Sequence, residues 1–125
     1  MISVKQVLAI HRKAIEQFGG ADGVRDLGGL EAALARPFQT FGGEDLYPGF
    51  IERAAAIAES IIINHPFIDG NKRTGYILME AILLAGNLKI ALTDMDIYPF
   101  VIAVSTGEKK YDDIVAWLNA NTADT

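Results

Sequence analysis

The amino-acid sequence predicts an all-α domain of about six helices. Three observations carry that reading. Apolar residues recur at helical spacing through most of the chain, Gly and Pro fall mainly between those segments, and capping signatures open two of them. A length of 125 residues with no cysteine gives one domain, 1–125, able to bury a single core without disulfides and unable to build a thiolate zinc site. The expected compartment is the cytoplasm: the N-terminus, Met-Ile-Ser-Val-Lys, has no signal-peptide architecture. A net charge of -5 argues against direct nucleic-acid binding, which feeds on Lys and Arg. The longest apolar run, Tyr76 to Ala85, is broken by Glu80 and too short to cross a membrane.

Taken in order, Ser3 with Gln6 reads as a capping box, followed by Val4, Val7, Leu8, His11, Ile15 and Phe18 at helical spacing. Gly19-Gly20 stops that helix. Ala21 to Gly29 reads as a loop, and a shorter helix carries Leu30 and Leu34 and ends at Arg36 before Pro37. Phe38 to Gly49 reads as irregular. An alanine-rich helix over about Phe50 to Asn64 comes next. The following one, about Asn71 to Ala85, is apolar nearly all round and marks a central buried helix. Gly86-Asn87 closes it, and Leu88 to Leu92 is short and extended without the signature of a sheet. Thr93 with Asp96 opens a helix that Pro99 disturbs or kinks, and a last helix covers about Tyr111 to Asn119.

Between the two long helices lies the polar stretch His65-Pro66-Phe67-Ile68-Asp69-Gly70-Asn71-Lys72-Arg73. The first turn of a helix has unpaired N–H groups and the positive end of the macrodipole. Gly70 permits a tight turn and close approach, and Asn71, Lys72 and Arg73 add donors at the same terminus. That combination suits a phosphate, although an ordinary polar cap would use the same residues. Asp69 is either a Mg²⁺ carboxylate beside the anion site or the N-cap of the helix. His65, stopped by Pro66, is either a general base or a structural histidine, and His11 reads as a packed histidine on an apolar face. Phe67 and Ile68 read as anchors of the loop.

His65 to Arg73 resembles the Fic/Doc family signature H-P-F-x-(D/E)-G-N-G-R, departing only at Lys72. The segment Gly23 to Pro37, with Thr40-Phe41 and Leu46-Tyr47-Pro48, resembles the Doc (death-on-curing) toxin branch, and the resemblance spans roughly the first two-thirds of the chain. It implies the compact six-helix Fic/Doc fold and transfer of part of a nucleotide onto a protein hydroxyl. His65 would then be the base, and Asp69 would bind Mg²⁺. Gly70, Asn71 and Thr74 at the helix start would hold the phosphates of ATP, with Arg73 as a charge clamp.

Lys72, in place of the Fic glycine, resembles the Doc variant, where the γ-phosphate faces the attacking hydroxyl. The implied activity is a kinase that modifies a threonine of a translation factor such as elongation factor Tu and blocks translation. Pro66 and Gly70 follow the Fic pattern instead, which leaves AMP transfer open, and a non-catalytic nucleotide- or peptide-binding module is the third reading. The inhibitory pattern (S/T)-x-x-x-E-(G/N) is not matched, Thr40 to Asp45 being nearest. The implied partner is therefore an antitoxin whose disordered tail folds on binding.

Overall fold

Ser3 and Gln6 form the expected capping box. Gln6 N–H donates to Ser3 Oγ at 3.1 Å, and Ser3 N–H donates to Gln6 Oε1 at 2.8 Å. From there α1 (Val4–Phe18) buries Val7, His11 and Ala14 on one face and ends at Gly19. The computed structural model describes residues 2–125. Helix α2 (Leu27–Ala35) starts earlier than expected, because the Asp26 carboxylate accepts from Gly29 N–H at 2.9 Å and draws Gly28-Gly29 into the first turn. Pro37 cannot continue that helix, and Arg36–Phe38 tightens into a 3-10 turn.

The stretch expected to be irregular contains a small hairpin, β1 (Thr40–Phe41) paired with β2 (Glu44–Asp45) over Gly42-Gly43. Beyond it, α3 (Phe50–Asn64) and α4 (Asn71–Ala85) lie side by side and form the centre of the fold. The alanines explain how α3 packs against α2, α4, α5 and α6: Ala54, Ala55, Ala56 and Ala58 are all buried, and small side chains let neighbours close in from several directions. Gly75 serves the same end, since a Cβ there would sit 2.7 Å from Ile62 Cγ1. Helix α4 is buried on its inner face through Leu78, Met79, Ile82 and Leu83, while Leu84 on the outer face is 61% exposed.

Leu88 to Leu92 does contribute to a sheet. β3 (Leu88–Ile90) pairs antiparallel with β4 (Thr122–Asp124), which follows α6 directly. Helix α5 (Asp94–Ser105) runs unbroken through Pro99, which lies on its exposed side two turns before the C-terminus. Thr93 precedes α5 but does not cap its backbone; its hydroxyl donates to Asp96 Oδ2 at 2.9 Å. Helix α6 (Tyr111–Asn121) extends two residues past expectation and stacks Trp117 on Phe100, ring centroids 4.1 Å apart. One core draws on all six helices, and among the described residues no helix is long and apolar enough to cross a membrane.

Candidate active site

The turn between α3 and α4 is held from outside by the strap that precedes α2. Helix α3 ends at His65, a non-glycine residue in the left-handed region (φ 50°, ψ 57°). The exposed carbonyls of that helix end are taken by Arg25, which donates from Nε to His65 O at 2.7 Å and from Nη2 to Asn64 O at 2.6 Å. Backbone pairing continues along the strap: Arg25 and Asp26 N–H both donate to Pro66 O, and Ile68 N–H donates to Gly23 O at 3.0 Å. The two Arg25 side-chain bonds satisfy helix-end carbonyls that would otherwise lack partners, and the backbone pairing fixes the strap to the turn. They also leave the His65 ring exposed at the lip of the turn.

Phe67 anchors the turn in the core. It is 1% exposed and lies face to face with the His11 ring at 3.9 Å and 6°. Asn71 closes a clamp on its backbone, accepting from Phe67 N–H at 2.9 Å and donating to Phe67 O at 3.0 Å. His11 adds a second clamp: its Nε2 lies 2.7 Å from Asp69 O, and since a carbonyl only accepts, that nitrogen carries the proton. The other ring nitrogen faces Asp22 Oδ1 at 3.4 Å. His11 is thus the packed histidine expected, and it also positions the turn.

The Asp69 carboxylate stays exposed and does not cap α4; Gly70 occupies the N-cap, and no side chain bonds the first turn. Asp69 accepts instead from Ala21 N–H at 3.2 Å and Gly70 N–H at 2.8 Å. Those two donors, Ala21 foremost, hold its carboxyl below the usual aspartate range, and the nearby charge of Lys72 acts in the same direction. Gly70 has a left-handed backbone (φ 76°), and a Cβ there would lie 3.1 Å from Ile15 Cδ1 and 3.5 Å from His11 Nε2. The left-handed backbone favours glycine, and the tight approach of Ile15 adds to that preference.

Of the residues expected to hold phosphates, the start of α4 presents some and withdraws others. Lys72 and Arg73 are exposed, and the Arg73 guanidinium rests 3.6 Å over the Phe18 ring. Asn71 is buried, its side chain committed to Phe67. Thr74 is fully buried: its N–H bonds Gly70 O at 2.9 Å, and its hydroxyl has no hydrogen-bond partner among the described residues. The cradle that remains consists of the uncapped N–H groups of the first turn with Lys72 and Arg73.

Among the described residues no three His, Cys, Asp or Glu side chains converge to hold a metal. Asp69 is a single carboxylate with one bond to each oxygen, which leaves each oxygen a lone pair for a cation that takes its other ligands from phosphate and water. The residues fit Mg²⁺ in that mode.

Sequence reasoning missed the strap residue Arg25, the loop amide of Ala21, and Phe18 beneath Arg73. Each acts from a distant part of the chain, Arg25 from 40 residues before His65. The Tyr47 loop is fastened as well: Tyr47 accepts from Arg36 Nε at 3.0 Å and meets Tyr111 edge-on at 5.4 Å.

Residues 1–83 match the model of the Fic/DOC family. The chain is also similar to a protein named Toxin Doc from Mycolicibacterium smegmatis, at 42% identity over 80 residues, which cover 64% of this chain and 61% of that relative. The match therefore spans less than two-thirds of the relative's length.

Proposed function

The chain belongs to the Fic/Doc family, and from that premise we propose that it is a Doc-like toxin, a phosphotransferase acting with ATP and Mg²⁺ in the cytoplasm. Its substrate in this reading is a hydroxyl, a threonine of a translation factor such as elongation factor Tu, whose modification blocks translation. One observation carries the proposal: a single clamped turn presents an exposed imidazole, an ionised carboxylate and two cations around an uncapped helix start.

His65 accepts the hydroxyl proton on a ring nitrogen as the hydroxyl oxygen bonds to the γ-phosphorus. The bond from that phosphorus to the β,γ-bridging oxygen breaks, and ADP leaves. The first-turn N–H groups, Lys72 and Arg73 balance the charge on the phosphate oxygens. Mg²⁺, when bound through Asp69, offsets the remaining polyphosphate charge. Lys72, where the Fic signature has glycine, favours γ-transfer.

AMP transfer is the second reading, favoured by Pro66 and Gly70, which follow the Fic pattern. Incubation with purified elongation factor Tu and ATP labelled separately at the α and γ positions distinguishes them. Label from γ supports the kinase, label from α replaces it with AMP transfer, and no label from either rules out both on this target. Inhibition comes in trans, from an antitoxin tail that folds against α1 and the loop after it. Antitoxin binding that survives deletion of residues 1–20 rules that surface out.

A further inference from the structure

Strand β3 has a neighbour on one side only. Its register with β4 pairs Leu88 with Asp124, Lys89 with Ala123 and Ile90 with Thr122. The flanking bonds, Thr125 N–H to Asn87 O at 3.0 Å and Ala91 N–H to Asn121 O at 2.7 Å, show which residues turn their backbone groups toward β4. They are Asn87, Lys89 and Ala91. Because backbone groups alternate in an antiparallel ladder, the N–H and C=O of Leu88 and Ile90 point the other way. Among the described residues nothing bonds to them.

A groove of about 150 Å³ lies between α4 and β3, lined by Glu80, Leu83 and Leu84 of α4 and by Leu88, Lys89 and Ile90. We propose that this edge accepts an extended peptide of another protein as a third strand, and that the peptide reads apolar–acidic–apolar. Leu88 and Ile90 lie on the same face of β3 and Lys89 on the opposite, exposed face. Residues set across from Leu88 and Ile90 share their face, meet this largely apolar lining and must be apolar. The residue across from Lys89 stands in water beside an ammonium, where a carboxylate is the complementary partner.

The same charge argues against a second copy of this chain. Two-fold pairing of β3 with itself centred on Lys89, the register that overlaps the whole strand, sets Leu88 against Ile90 and places Lys89 directly opposite its own mate, two cations at the closest cross-strand separation. The outer edge of β4 offers the polar residues Thr122 and Asp124. None of these residues belongs to the turn that holds His65 and Asp69, so this surface is independent of the transferase reading.

The test is an amide-resolved NMR titration of the full chain with acetyl-Thr-Val-Asp-Val-Thr-amide and its Lys-centred counterpart. The Asp peptide shifts the Leu88 and Ile90 amides, slows their exchange with solvent, and binds about threefold more tightly than the Lys peptide. Lys89→Glu, an exposed substitution on the side away from the core, inverts that preference. Shifts elsewhere with Leu88 and Ile90 unmoved overturn the proposal, as does equal affinity for the two peptides in both proteins. A concentration-dependent dimer in sedimentation that perturbs the same two amides overturns it too, by giving the edge to a second copy.

Discussion

Gly70 is the residue on which the geometry of the turn depends most, and its replacement can be dissected by comparison with another glycine. Gly107, after α5, has nearly the same φ (82° against 76°) but no atom within 4 Å of where a Cβ would be. Gly107→Ala therefore carries only the left-handed backbone penalty, about 1 kcal/mol. Gly70→Ala carries that penalty and the crowding of Ile15 Cδ1 at 3.1 Å. Ile15 can give at its tip, so the crowding adds about 1 kcal/mol, the low end for overpacking. The expected losses in urea denaturation are about 1 kcal/mol for Gly107→Ala and about 2 kcal/mol for Gly70→Ala. Midpoint temperatures should fall by about 4 °C for each kcal/mol. Adding Ile15→Val to Gly70→Ala removes the crowding methyl and should recover most of the second part, a coupling that a double-mutant cycle reads directly. Phosphoryl or nucleotidyl transfer should fall further than stability does in Gly70→Ala and not at all in Gly107→Ala. If the two variants are equally stable, or equally active, the turn is not shaped by the contact of Gly70 with α1.

Asn71→Ala should cost about 2–3 kcal/mol in chemical denaturation, because it strands the buried N–H and C=O of Phe67 together; a loss under 1 kcal/mol would mean that water replaces the clamp. His65→Gly and His65→Ala should both be inactive, yet the glycine variant should be more stable than the alanine variant by about 1 kcal/mol in thermal unfolding, since His65 has φ 50°. Burial, with a smaller contribution from Asp94, raises the Glu80 carboxyl, so the folded chain holds that proton more tightly than the unfolded one. The resulting stabilisation is present below the unfolded value and is lost as pH rises through the folded one. Between pH 4 and 8, wild type should therefore lose about 0.5 kcal/mol relative to Glu80→Gln, a figure kept small because the side chain is partly solvated. Asp69, lowered by the amides of Ala21 and Gly70, works in the opposite sense. Its contribution is present above the unfolded value and lost as pH falls through the folded one, so wild type should lose stability faster than Asp69→Asn below about pH 4.

The helices were legible because their signals are local. Ser3 and Gln6 meet three residues apart, and Gly19, Pro37 and Pro66 stop helices by their own backbone chemistry. The pairing of β3 with β4 was not legible, because strands of three residues separated by two whole helices leave no pattern that periodicity can detect. The start of α2 was misjudged for a different reason. Gly28-Gly29 argue against a helix by propensity, but the Asp26 carboxylate satisfies the Gly29 amide and the helix forms over them.

The candidate site shows the same division within a few residues. His65, Asp69, Lys72 and Arg73 could be read as chemistry from their types, and all four are exposed around one turn. Thr74 was read with them by adjacency, and helical phase sets it on the buried face. Asn71, Thr74, Gly75 and Leu78 recur at three- and four-residue spacing and line the buried face of α4, while Lys72 and Arg73 fall on the outside. The motif is therefore two interleaved sets. One set has its polar groups already spent or walled in: Asn71 on Phe67, His11 on the Asp69 carbonyl, Thr74 in the core. The other keeps an imidazole, a carboxylate and two cations exposed. The first set accounts for why the second can hold its geometry without bonding to itself. A ligand arriving at this turn would meet groups already placed, with little of its binding energy needed to order them.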